Sequence, residues 1–168
     1  MAKAITCCFT GHRPEKLPWG RNENDPRCVA LKQAIRQALE QAYQDGYRHF
    51  ISGMARGCDQ YFAREVLELR REHDDVTLEA AVPCVEQAHS WSKEDKECYR
   101  ELIARCDMET VVQQNYDKNC MRRRNRYMVN RSDRLIAVYD GAAGGTHYTI
   151  GYAMQTGVDV VMIPVEMN

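Results

Sequence analysis

Three short segments of the chain combine glycine with side chains that hold anions. They are Thr10-Gly11-His12-Arg13, Ser52-Gly53-Met54-Ala55-Arg56-Gly57-Cys58-Asp59 and Asp140-Gly141-Ala142-Ala143-Gly144-Gly145-Thr146. Glycine lets a backbone approach a phosphate and adopt positive φ, and a helix starting just after it offers unpaired N–H groups at the positive end of its dipole. Thr146 and Ser52 add hydroxyl donors. Arg13 and Arg56 lie inside two of the segments, where a guanidinium can grip an anion through two hydrogen bonds. His12 reads as facing the ligand, where an imidazole polarises a ligand oxygen, or else as capping the loop. Asp59 reads either as a first-turn charge favoured by the helix dipole or as an acceptor for a ribose hydroxyl. No segment ends in the Gly-Lys-Ser/Thr of a Walker loop, and none is G-x-G-x-x-G, which sets aside a standard dinucleotide dehydrogenase.

One spacing suggests different chemistry. Cys7 and Arg13 form C-x5-R, the arrangement of a cysteine phosphatase loop, in which a thiolate of depressed pKa attacks a phosphate held by backbone N–H groups. Here Cys7 falls mid-strand between apolar neighbours, and Pro14 stands where Ser or Thr follows the arginine. Cys7 is therefore read as a core residue. The eight cysteines contain no C-x-x-C pair, which removes the usual zinc spacings. No metal and no cofactor is called for.

These segments need a scaffold, and the hydrophobic pattern describes one. Short apolar runs alternate with helix-length amphipathic stretches, the signature of a parallel α/β sheet. The strands are expected at Ala4–Phe9, His49–Ile51, Leu78–Val82 (ended by Pro83), Glu109–Val112, Leu135–Tyr139 and Val158–Val165. Between them, Leu31, Ile35 and Leu39 mark a first helix closed by Gly46, and Phe62, Val66 and Leu69 a second. Tyr99, Leu102 and Ile103 mark a third, Asn119–Arg131 a polar fourth, and Ile150, Ala153 and Met154 a fifth closed by Gly157. The expected architecture is three-layered: a mostly parallel sheet of about six strands with helices on both faces, in one domain spanning 1–168. Ligands of such sheets bind beyond the carboxyl ends of the strands, where all three glycine segments fall.

Composition narrows the partners. The net charge is -1, with 44% hydrophobic and 28% charged residues, an ordinary globular balance that favours neither a polyanion nor a membrane surface. No apolar run approaches the ~20 residues of a membrane span, and no secretory leader pattern opens the chain, so a cytoplasmic protein with free thiols is expected. The run Arg122-Arg123-Arg124-Asn125-Arg126 invites a nucleic-acid reading, but only Tyr127 stands by to stack a base. Its place before a buried strand suits one or two side chains turned into the ligand crevice, so Arg124 and Asn125 join the candidate ligand-binding residues.

Taken together, the Phe9–Pro14 motif, the Ser52–Asp59 motif, and the Arg124–Val138 stretch followed by Gly144-Gly145-Thr146 resemble the YpsA-like (DUF1273) branch of the SLOG superfamily. That superfamily includes DprA and the Lonely Guy hydrolases. The resemblance covers nearly the whole chain and implies a Rossmann-like fold binding a nucleotide or nucleotide-derived, ADP-ribose-like ligand as a sensor or regulatory module. Two alternatives stay open, an N-glycoside hydrolase of nucleotides and a protein associated with single-stranded DNA; assembly as a homo-oligomer is a further option. In the hydrolase pattern Met121, Arg124, Ser132-Asp133 and Gly145-Thr146 match, but the catalytic Glu falls at Thr149. A glycosidase needs a carboxylate there, so the enzyme reading rests on Asp59 or Asp140.

Overall fold

The computed structural model of the protein describes residues 5–165. Six strands, β1 (Ile5–Thr10), β2 (Tyr47–Ser52), β3 (Thr77–Cys84), β4 (Met108–Gln113), β5 (Arg134–Tyr139) and β6 (Asp159–Pro164), alternate with five helices. The helices are α1 (Pro26–Gln44), α2 (Cys58–Glu72), α3 (Lys93–Arg105), α4 (Cys120–Asn130) and α5 (Gly145–Gln155). Ala4, expected at the start of the first strand, lies outside the described residues.

The sheet is parallel throughout, in the order β4-β3-β2-β1-β5-β6. From β1 the chain steps outward to β4, then returns across the sheet to set β5 on the other flank of β1. That return divides the helices. α1, α2 and α3 cover one face, packing on Cys7, Phe9, Phe50 and Leu78. α4 and α5 cover the other, packing on Cys8, Ile51, Leu135 and Ala137. Alternation along β1 sends Cys7 and Phe9 to one core and Cys8 to the other. Phe9 stacks on Phe62 of α2 with centroids 4.6 Å apart. This is the Rossmann-like, three-layer architecture the hydrophobic pattern implies.

Local chemistry sets the element ends. Asp25 caps α1 by accepting from the Arg27 N–H, with Pro26 in the first turn where its missing N–H costs nothing. Ser92 caps α3 by accepting from the Asp95 N–H. One expected boundary moves. Pro83 lies inside β3 instead of ending it, because β2 stops pairing at Ser52↔Ala80 and leaves one edge of β3 free from there on. β4, the weakest pattern in the sequence, is an edge strand with Met108 and Val111 exposed.

The position of Cys7 removes phosphatase-loop chemistry. It is fully buried in the central strand, and burial pushes its thiol well above the ordinary value; Cys8 beside it is pushed up to about 12. Iodoacetamide at neutral pH is expected to label exposed Cys98 in the native protein and to reach Cys7 and Cys8 only after unfolding. Peptide mass spectrometry checks this, and native labelling of Cys7 at pH 6 would contradict it.

Candidate ligand-binding site

The loop after β1 is locked to the start of α2 by contacts that leave room for glycine alone. A Cβ on Gly11 would lie 2.6 Å from the Cβ of Cys58, a helix atom with nowhere to go. The His12 carbonyl accepts from the Cys58 N–H at 3.1 Å. Gly57, at φ +88, faces that same carbonyl, which a Cβ there would approach to 2.8 Å. The loop is thereby pinned, and the Arg13 side chain is left outside at the rim.

The Ser52–Asp59 loop folds inward. Ser52 Oγ donates to the Asp59 carbonyl and accepts from the Met54 N–H, which helps hold Met54 at φ 61, a left-handed conformation rare for a side-chain-bearing residue. The Asp59 carboxylate turns back to accept from the Ala55 N–H. Beneath the loop Arg124, 4% exposed, donates to the carbonyls of Gly53 (2.6 Å) and Ala81 (3.3 Å), and its Nε donates to Asn125 Oδ1. A Cβ on Gly53 would collide with that guanidinium at 2.3 Å. Burial raises the Asp59 carboxyl above its ordinary value, opposed by the nearby Arg124 charge. It likewise lowers Arg124, opposed by Asp59. Ser52, Gly53, Met54, Asp59, Arg124 and Asn125 thus brace the loop from behind through these bonds, and none of them lines either of the two cavities beside it.

The open space lies where β1 and β5 end. A cavity of about 330 Å³ is lined by Gly11, His12, Arg13, Glu15, Lys16, Asp140 and the turn from Ala142 to Thr146. Here the first turn of α5 presents its N–H groups, with Gly144 as N-cap at φ 151 and the Thr146 hydroxyl beside it. Asp140 Oδ1 accepts from the Ala142 N–H and so shapes the turn. Arg13 and Lys16 make no ion pair with any described carboxylate, whereas Glu15 is engaged by Arg56 at 3.5 Å. Two cations therefore face the crevice unneutralised. His12 is buried, with Nε2 3.4 Å from Asp140 Oδ1 but in no hydrogen bond. Burial lowers its pKa, against the pull of Asp140, so a neutral imidazole faces the cavity at pH 7.

A second cavity of about 430 Å³ adjoins this one across Arg13, and is lined also by Ala55, Arg56, Gln87, Trp91, Tyr116 and Met121. Arg56 is spoken for: it reaches Asp95 at 3.4 Å and stacks over Trp91 at 5.0 Å. The sequence reading missed Gln87, Trp91 and Tyr116, which follow β3 and β4, and it missed Lys16. The available signal was position at the carboxyl edge of the sheet, but those loops carry no glycine to draw notice. The Arg-rich run differs from its reading as a face poor in aromatics: α5 brings Tyr148 and Tyr152 beside it, with Arg122 4.8 Å over Tyr148 and Arg126 5.2 Å over Tyr152.

Fold and site define a doubly wound α/β protein whose crevice, lined by Arg13, Lys16 and the first turn of α5, sits where the strand order reverses. Residues 7–163 match the model of the YspA SLOG family, and the chain belongs to that family, as its motifs suggested. UPF0398 proteins of Bacillus thuringiensis (strain Al Hakam) and Bacillus cereus (strain AH187) are each 26% identical over 151 residues, covering 88% of this chain and 82% of theirs. Among solved structures it is similar to DNA processing protein A from Helicobacter pylori, described for its single-stranded DNA binding mode (TM-score 0.66, 17% identity, 98% of this chain and 67% of that one). It is also similar to DprA from Streptococcus pneumoniae (TM-score 0.64, 15% identity), covering 98% of this chain and 52% of that one. Both likenesses are of fold.

Two outcomes follow from the geometry. Gly57→Ala is expected to cost about 1–3 kcal/mol of stability, because the new Cβ meets a carbonyl at a positive-φ position; urea unfolding measures it, and an unchanged midpoint contradicts the locked loop. Asp59→Asn should raise the melting temperature at pH 7. The sign follows from the raised folded-state pKa: the cost of the buried charge is full above that pKa and vanishes below the ordinary value of 3.8. The gain should therefore close as the pH falls towards 3.8; destabilisation at pH 7 would contradict it.

Proposed function

We propose that this protein binds a nucleotide or nucleotide-derived ligand, its anionic group seated in the β1–β5 crevice, and acts as a sensor or regulatory module. One observation carries the reading: Arg13 and Lys16, without carboxylate partners among the described residues, face the first turn of α5 across a cavity that Gly144-Gly145-Thr146 line. Cations, helix N–H groups and a hydroxyl converging on one void suit a phosphate. An ADP-ribose-like ligand is the fuller form, because the adjoining cavity could take the remainder of such a molecule. Hydrolysis of an N-glycosidic bond would fall to Asp140, the carboxylate beside neutral His12 in the crevice. Thr149 is fully buried, with its hydroxyl bonded to the Gly145 carbonyl.

Single-stranded DNA is the second reading, favoured by the Arg122, Arg126, Tyr148 and Tyr152 cluster, which joins cations to stacking surfaces. The two readings use different surfaces. DNA affinity should fall steeply with salt and with loss of Arg122 and Arg126.

Thermal shifts against AMP, ADP, CMP and ADP-ribose test the main reading. A ligand at ~100 times its Kd adds about 2.7 kcal/mol, a rise of roughly 5–10 °C for a chain of this size. Arg13→Ala with Lys16→Ala should weaken binding about tenfold or more, since each charged contact is worth about 1.5–3 kcal/mol. No shift with any of the four, or one that survives the double change undiminished, overturns the reading. Release of free base, abolished by Asp140→Asn, would instead establish the hydrolase.

A further inference from the structure

On one side the sheet ends in an unprotected edge. β4 pairs with β3 without a register shift, and its outer side meets no described strand. An open strand edge is a template for another strand, and proteins blunt such edges with proline, lysine or bulges. The opposite edge strand, β6, ends in Pro164. β4, Met-Glu-Thr-Val-Val-Gln, carries none of these devices.

Apolar surface collects at the same edge. Met108 and Val111 are 50% and 41% exposed, and Val85, just past β3, is 58% exposed. Beside them lies an open groove of about 400 Å³ between α3 and β4, lined by Val82, Val85, Tyr99, Ile103 and Val111. Two charges share its lining, Arg100 on α3 and Glu109 on β4. Neither makes an ion pair or a side-chain hydrogen bond with any described residue. An apolar strip bearing one unpaired cation and one unpaired anion is complementary to itself, because a two-fold axis sets each charge against its opposite. A second copy of this chain supplies both partners by symmetry.

We propose that β4 is a dimer interface, pairing antiparallel with β4 of a second copy so that two six-stranded sheets become one. Arg100 of each copy then meets Glu109 of the other on the α3 side, and the exposed side chains of Met108 and Val111 are covered. The crevice at β1 and β5 lies away from this edge and stays open, so the dimer does not depend on what the crevice holds.

Sedimentation velocity at micromolar concentration tests it. The protein should run at twice the 19.4 kDa of the chain. Arg100→Glu or Glu109→Arg alone should raise the dimer dissociation constant about tenfold or more, because each places like charges together at two symmetric positions. The two changes combined restore opposite charges and should bring the dimer back, a recovery that loss of folding cannot mimic. Val111→Lys, which puts a lysine on the edge, should give monomers that keep the native circular dichroism spectrum. If that variant fails to fold, the charge-reversal series decides alone. A monomer at every concentration, or a dimer that the single charge reversals leave intact, overturns the proposal.

Discussion

The parallel pairing of β1 with β5, which runs as far as Thr10↔Ala137, is the constraint on which the site depends. Every earlier crossover carries the chain away from β1; the return to its opposite flank makes two loops diverge to opposite faces from adjacent strands. The space between them cannot be filled by a helix from either side, which is why crevices at such reversals hold ligands. Here the diverging loops are those of Gly11 and Gly144. The first is anchored below by Gly57 and Cys58, and the second leads straight into α5. Both then offer backbone and side-chain donors to the same void.

The charges around this edge divide into two kinds. Arg124 is buried and consumed by main-chain carbonyls, so it supports the Ser52–Asp59 loop without touching the void. Arg56 is neutralised by Asp95 and Glu15 and clamps Trp91. Arg13 and Lys16 make no such ion pair and lie exposed where they line the β1–β5 crevice. Buried Arg124 has its field opposed by Asp59, which also feels the charge of Arg13 at the rim.

Much of this was legible in the residues. The alternation of apolar runs and amphipathic stretches located each strand and α-helix of the described residues, because parallel strands buried on both faces read as continuous apolar segments, while the short 3-10 turn at Pro14–Lys16 was read as loop. β1 and β5 were plain for that reason, while β4, half exposed at the edge, was faint. Pro83 misled because its tolerance depends on where β2 stops, which is a tertiary fact. At the site, glycine and arginine in one segment signalled anion chemistry, and the structure does gather those segments at one edge. Two outcomes were beyond sequence. Arg13 and Arg124 look alike in the chain, and only packing shows that one is free and the other buried. Gln87, Trp91 and Tyr116 carry no motif, and only the fold brings them to one cavity.

The most direct test is an NMR titration of the amide resonances with AMP. Convergence of both loops on one anion predicts saturable shifts at residues 11–16 and 142–146 together, with one shared dissociation constant. Shifts confined to α4 and the tyrosines of α5, with both loops silent, would contradict it.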